Sequence, residues 1–164
     1  MELPAYFRML AHYNRVANER LYAACGRLDE NEFREARKGS FGSIRGVLNH
    51  LLLGDRIWMA RFEADGTATP KLDTILYSDF ADLRQARAQE DIRIEQFFDA
   101  LSGAYLSRAL SYVNSQGKAR TETAPLAIGH FFNHQTHHRA QVHVMLSQTA
   151  IPPPSLDLHA IINA

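Results

Sequence analysis

The stretch His130-Phe-Phe-Asn-His134-Gln-Thr-His-His138-Arg-Ala-Gln141 holds four of the chain's eight histidines. At about 3.6 residues per turn, His134 and His138 stack one turn apart on one helix face, where two imidazoles can grip a single metal ion. Extended in both directions, the pattern predicts a helix whose apolar arc is set by Ala124, Ile128, Phe131, Val142, Met145 and Leu146. His134 and His138 fall inside that arc and Gln141 at its margin. His137 and His143 fall outside and are expected in water, and His130 sits at the edge.

Three more helices precede this one. The first runs from about Pro4 to Arg27, where Leu3, Phe7, Leu10, Tyr13, Ala17, Leu21 and Leu28 step by threes and fours before Gly26 marks its end. The second opens at Ser43, a suitable N-cap, carries Ile44, Leu48, Leu51, Trp58 and Phe62, and stops at Gly66. A polar connection through Pro70 leads to the third. Asp79 caps it, and Leu83, Ile94, Phe97 and Leu101 form its apolar face. Between Leu110 and Thr123 the pattern changes to Tyr112-Val113, Asn114-Ser-Gln-Gly117 and Thr121-Glu-Thr123, which reads as a small β-hairpin or an extended excursion. Thr123 then caps the fourth helix, with Pro125 in its first turn, and Pro152-Pro-Pro154 ends it beyond Gln148. The tail, Ser155 to His159, is expected to pack back. The fold class is therefore all-α: a four-helix bundle with a long crossover between the third and fourth helices, forming one domain over residues 1–164.

Composition narrows the function. Lys plus Arg and Asp plus Glu number 18 each, so the formal charge is zero and nucleic acid is disfavoured as a partner. No run of about 18 apolar residues offers a membrane span. Met1-Glu2-Leu3-Pro4 lacks the pattern of a signal peptide. A lone Cys25 fits a reducing compartment, and a cytoplasmic location is expected.

Two imidazoles facing a core need partners, since each unsatisfied buried polar group costs about 1–3 kcal/mol. A hydrogen bond from each ring to a carboxylate, hydroxyl or carbonyl would suffice. A metal in the bundle core is the sharper solution, and it wants a third ligand. His50, at the edge of the second helix's apolar arc, is the candidate, with Gly54 one turn on leaving space beside it. The alternative for His50 is a boundary side chain with its tip in water. Spacing does not say whether the second and fourth helices are neighbours.

Leu48-Asn-His50, with Asp55 and Trp58 downstream, resembles the first metal-ligand motif of the DinB family of damage-inducible, YfiT-like four-helix-bundle metalloproteins. Asn133-His134-Gln-Thr-His-His138-Arg139-Ala-Gln141 resembles that family's second motif, N-H-x-x-x-H-R-x-Q, and Ile151-Pro-Pro-Pro-Ser-Leu156-Asp157 its proline-rich tail. Ala140 departs from the glycine many members carry after the arginine. The resemblance implies a divalent metal held by His50, His134 and His138. It further implies thiol-dependent transfer or isomerisation with a low-molecular-weight thiol. Hydrolysis of a small substrate and a non-catalytic stress-response role stand as alternatives.

Imidazole ligation favours zinc or nickel. Such an ion can pull the pKa of bound water towards ~7 or hold a thiol as thiolate. Gln135 stands where H-E-x-x-H proteases carry their glutamate, which argues against that chemistry. No residue presents itself as a catalytic base. Gln141 is a candidate to orient a bound ligand. Asp55, inside an apolar arc, reads first as a hydrogen-bonding partner of a neighbouring helix and second as a support for the site. Glu90 and Asp91 read first as a solvated face and second as carboxylates supporting the site, and Arg139 first as half of a structural salt bridge and second as an anion anchor. Trp58 is expected in the core, and Cys25 as a small buried apolar group. A small-molecule thiol and a second copy in a homodimer are the expected partners.

Overall fold

The computed structural model describes residues 1–64 and 71–163. Four long helices form the bundle: α1 (Leu3–Cys25), α3 (Ile44–Glu63), α4 (Phe80–Asp99) and α6 (Ala124–Leu146). Three short helices were not anticipated: α2 (Glu30–Arg34), α5 (Gly103–Leu106) and α7 (Leu158–Ile162). One of them had a sequence signature, since Asp29 and Glu32 form a reciprocal capping box at the start of α2.

The expected caps are present where a side chain is free to make them. Ser43 Oγ accepts from the Gly46 N–H at 3.0 Å, and the Asp79 carboxylate accepts from Ala81 and Asp82. Thr123 holds the N-cap position of α6, but its hydroxyl makes no capping bond. It also closes a hairpin, and the Ala124 N–H bonds instead to the Arg108 carbonyl at 3.1 Å. Pro4 and Pro125 occupy first turns, where no N–H is needed. Helix α3 ends at Ala64 with φ 59°, a left-handed cap more often taken by glycine. The expected stop at Gly66 and the linker Pro70 lie outside the described residues. The excursion is a two-stranded antiparallel hairpin, β1 (Ala109–Val113) and β2 (Ala119–Thr123), with Ala109 opposite Thr123.

Helices α1 and α3 each pack on both α4 and α6, so the four stand in the ring α1, α4, α3, α6. That order makes α3 and α6 neighbours. Two apolar clusters fill the interior. One gathers Leu21, Leu48, Leu51, Leu83, Val142 and Met145, and the other Phe7, Met59, Ile94, Phe98, Ile128 and Phe131. Burying each such side chain stabilises the fold by about 1.5–3 kcal/mol. On every helix the positions between the clusters are polar yet buried: Asn14 and Asn18, Asp55, Arg87 and Asp91, Gln135 and Arg139. The tail packs back as expected, with Tyr13 donating to the Leu156 carbonyl at 2.8 Å and Ile161 buried. Among the described residues no helix is long and apolar enough to cross a membrane.

Candidate metal centre

Helix α3 brings His50, and α6 brings His134 and His138, to a common point. One ring nitrogen from each lies within 4.8 Å of the others, a group that could hold a metal ion. His50 Nε2 and His134 Nε2 are 3.1 Å apart. The rings stand with centroids 4.4–5.1 Å from one another, His134 to His138 being the closest pair.

Hydrogen bonds outside the group choose which nitrogen each ring offers. His50 Nδ1 lies 2.9 Å from the Leu72 carbonyl, an acceptor only, so Nδ1 carries the proton and Nε2 turns its lone pair inward. His138 Nδ1 likewise donates to Gln141 Oε1 at 2.9 Å. Anchoring the far nitrogen is how protein metal sites fix the tautomer and direction of their histidines. The donor set therefore suits a divalent cation, being three imidazoles, at least two of them with Nε2 freed to coordinate. Gly54 completes the cradle, because a β-carbon there would stand 2.8 Å from His134 Cε1. The space that glycine was expected to leave is filled by His134.

The electrostatics of the three rings suit a cation site. Burial lowers His134 to about 3 and His138 to about 4, and it lowers His50 as well. The neighbouring imidazoles push His134 down further. All three rings are thus neutral near pH 7, the form that ligates.

Phe41 was not singled out in the sequence. Its ring stacks on His50 with centroids 3.7 Å apart and meets His138 edge-on at 5.6 Å. Its backbone holds φ 63°, a left-handed conformation that a bulky residue rarely adopts, and such strain persists only where the surroundings enforce it. Gly46 makes room for it, since a β-carbon there would collide with the Phe41 carbonyl oxygen.

The other histidines behave largely as the helical wheel predicts. His130 and His137 are exposed and stand outside the group. His143 departs from expectation: it is half-buried, 3.1 Å from the Pro154 carbonyl, because the returning tail covers it.

Behind the imidazoles a buried polar network joins all four long helices. Arg87 bonds Asp55 at 2.6 Å and pairs with Asp91 at 2.9 Å. Asn18 donates to Asp91 at 2.9 Å, and Gln135 donates to Asp55. Asp55 is therefore a partner of neighbouring helices, as its first reading had it. Glu90 and Asp91 correct the expectation of a solvated face, being 6% and 2% exposed. They are buried because α4 turns Glu90 towards Arg56 of α3 and Asp91 towards Asn18 of α1. Arg139, expected in a salt bridge, is buried among amide oxygens instead. It donates to Asn14, to Asn18 and to Gln135, and its guanidinium lies over the Tyr13 ring at 5.2 Å. Trp58 packs against Phe62 and Tyr112. Cys25 is 1% exposed, and burial pushes its thiol up to about 12.

A helical bundle with three inward-facing histidines on two facing helices is consistent with a metal-binding protein. The sequence profile of the DinB family matches residues 1–164, and the chain belongs to that family. Protein DinB of Bacillus subtilis (strain 168) is 26% identical over 148 residues, covering 85% of this chain and 83% of that protein.

Proposed function

We propose that the protein binds one divalent metal ion, zinc or nickel, through His50, His134 and His138, and acts with it as an enzyme on a low-molecular-weight thiol. The reaction is transfer onto the thiol or isomerisation assisted by it. The observation that carries the reading is the composition of the site: three neutral imidazoles and no carboxylate among the described residues within the group. A metal with three neutral ligands keeps its full charge and, when bound, makes a thiol or water in its open position a stronger acid.

The surrounding residues favour a thiol over water. Hydrolysis by activated water usually recruits a carboxylate base, and the buried Asp55 is already engaged by Arg87 and Gln135. A free thiol ionises near pH 8.5 and needs no such help. Leu72 and Gln141 hold the rings of His50 and His138 in place, and Phe41 shields one side of the site from solvent. His130 lies outside the group, which leaves coordination open in the manner of a catalytic site. A homodimer and a cytoplasmic location belong to the same reading.

Elemental analysis of wild type beside His50→Ala tests the metal. About one ion per chain, lost in the variant, is expected, and a metal-free wild type after reconstitution would refute the site. The visible spectrum of cobalt-loaded protein tests the thiol. Glutathione or another small thiol is expected to change it, and indifference to every thiol would turn the reading to hydrolysis or to a non-catalytic role.

A further inference from the structure

Further along α3 from His50, towards the helix's C-terminal end, a cleft of about 870 Å³ opens between the helix and the hairpin. Its volume lies within the range of small-molecule sites. Leu53, Ile57 and Leu76 give it an apolar wall, while Arg56, Arg61 and Arg108 supply three guanidinium groups. No Asp or Glu among the described residues lines it. In a chain of zero formal charge, that is a local concentration of one sign.

The three arginines are not equally committed. Arg56 lies 3.6 Å from Glu90 and donates to the Tyr77 hydroxyl. Arg61 and Arg108 form no ion pair with a carboxylate among the described residues. Arg61 instead lies against two aromatic rings that meet edge to face, 4.6 Å from Trp58 and 4.3 Å from Tyr112, and donates once to the Val113 carbonyl. Arg108 lies over Tyr105 at 5.2 Å and is exposed. Rings that stack on a guanidinium fix its plane and leave its edge donors unspent, an arrangement that recognises a planar carboxylate or a sulfonate.

We propose that this cleft binds an amphipathic organic anion, with the carboxylate or sulfonate held by Arg61 and Arg108 and an acyl or aryl body laid along Leu53, Ile57 and Leu76. The site is independent of the metal. Its cationic groups answer the anion, and its apolar wall requires more than an inorganic ion. Burial disfavours the charged form of Arg61 and the nearby Glu122 carboxylate opposes this only in part, so an anion arriving there offsets the remaining cost.

The experiment is a fluorescence titration of the full-length protein with 8-anilinonaphthalene-1-sulfonate, with competition by octanoate and by octanol. Saturable binding at one site per chain is expected, displaced by octanoate and not by octanol at equal concentration. Arg61→Met and Arg108→Met should each weaken binding about tenfold, the scale of a lost charge-assisted hydrogen bond. Arg84→Met, on an exposed face of α4, should leave it unchanged. Equal displacement by octanol would show mere apolar adhesion and overturn the proposal. So would absence of saturable binding, or unaltered affinity in both cleft variants. Arg108 is exposed, so its variant tests the site even if replacing Arg61 disturbs the packing around Trp58.

Discussion

Gly54 and His134 face each other across the α3–α6 interface so closely that one methyl group would not fit, its carbon falling 2.8 Å from the ring's Cε1. The atom in the way is the end of a side chain that can rotate. We therefore expect Gly54→Ala to fold and to turn the His134 ring out of the group, lowering metal affinity by tenfold or more. Circular dichroism together with isothermal titration of zinc checks both halves. Unchanged zinc affinity would show that the ring does not depend on that gap.

The wheel positions of the histidines give a second expectation. His134→Ala and His138→Ala should each abolish metal retention, while His137→Ala and His130→Ala should keep it, because those two rings stand outside the group. Metal content after dialysis is the readout. Equal loss in all four variants would mean that the ion is held elsewhere.

In metal-free protein, His134 and His138 should resist protonation, their ring signals titrating near pH 3 and pH 4 instead of near 6.5. The sign follows from the lowered values. Each ring's contribution to stability is present above its unfolded pKa of about 6.5 and is lost as pH falls through its folded one. Histidine titration by NMR tests it. Midpoints near 6.5 for both rings would show that water reaches them freely.

Breaking the pair Asp55–Arg87 should be costly, since both side chains are almost wholly buried, at 1% and 3% exposed. Asp55→Ala leaves a guanidinium without one of its two carboxylates, and a loss of about 3–5 kcal/mol in urea unfolding is expected. Arg87 also pairs with Asp91, so the triple change Asp55→Leu, Arg87→Met and Asp91→Asn is the one that removes every charge of the cluster, and it should recover part of that loss. A triple variant no more stable than Asp55→Ala would place the cost in lost packing and not in an uncompensated charge.

Cys25 should ignore thiol reagents in the native state and react fully in denaturant, because burial both hides the sulfur and raises its pKa to about 12. Native reactivity towards dithionitrobenzoate would show that the end of α1 opens readily.

Local patterns settled a large part of this protein. The four long helices, the caps at Ser43 and Asp79, and the pair His134 and His138 follow from spacing and capping chemistry, which act over a few residues. The hairpin was legible as a change of period. What spacing could not supply is adjacency. That α3 lies beside α6, and so that His50 meets the other two histidines, depends on the ring order of the helices. Asp91 and Arg139 show the same limit. Asp91 reads as part of a solvated face and Arg139 as half of a salt bridge, and each is buried because α1 packs over it with the amide of Asn18. Phe41 is the sharpest case. Its place over His50 rests on a left-handed backbone angle and on a glycine five residues on, a constraint that exists only once the loop has closed on the helix. Periodicity reports which face of a helix is apolar. Only the assembled fold decides what each face meets.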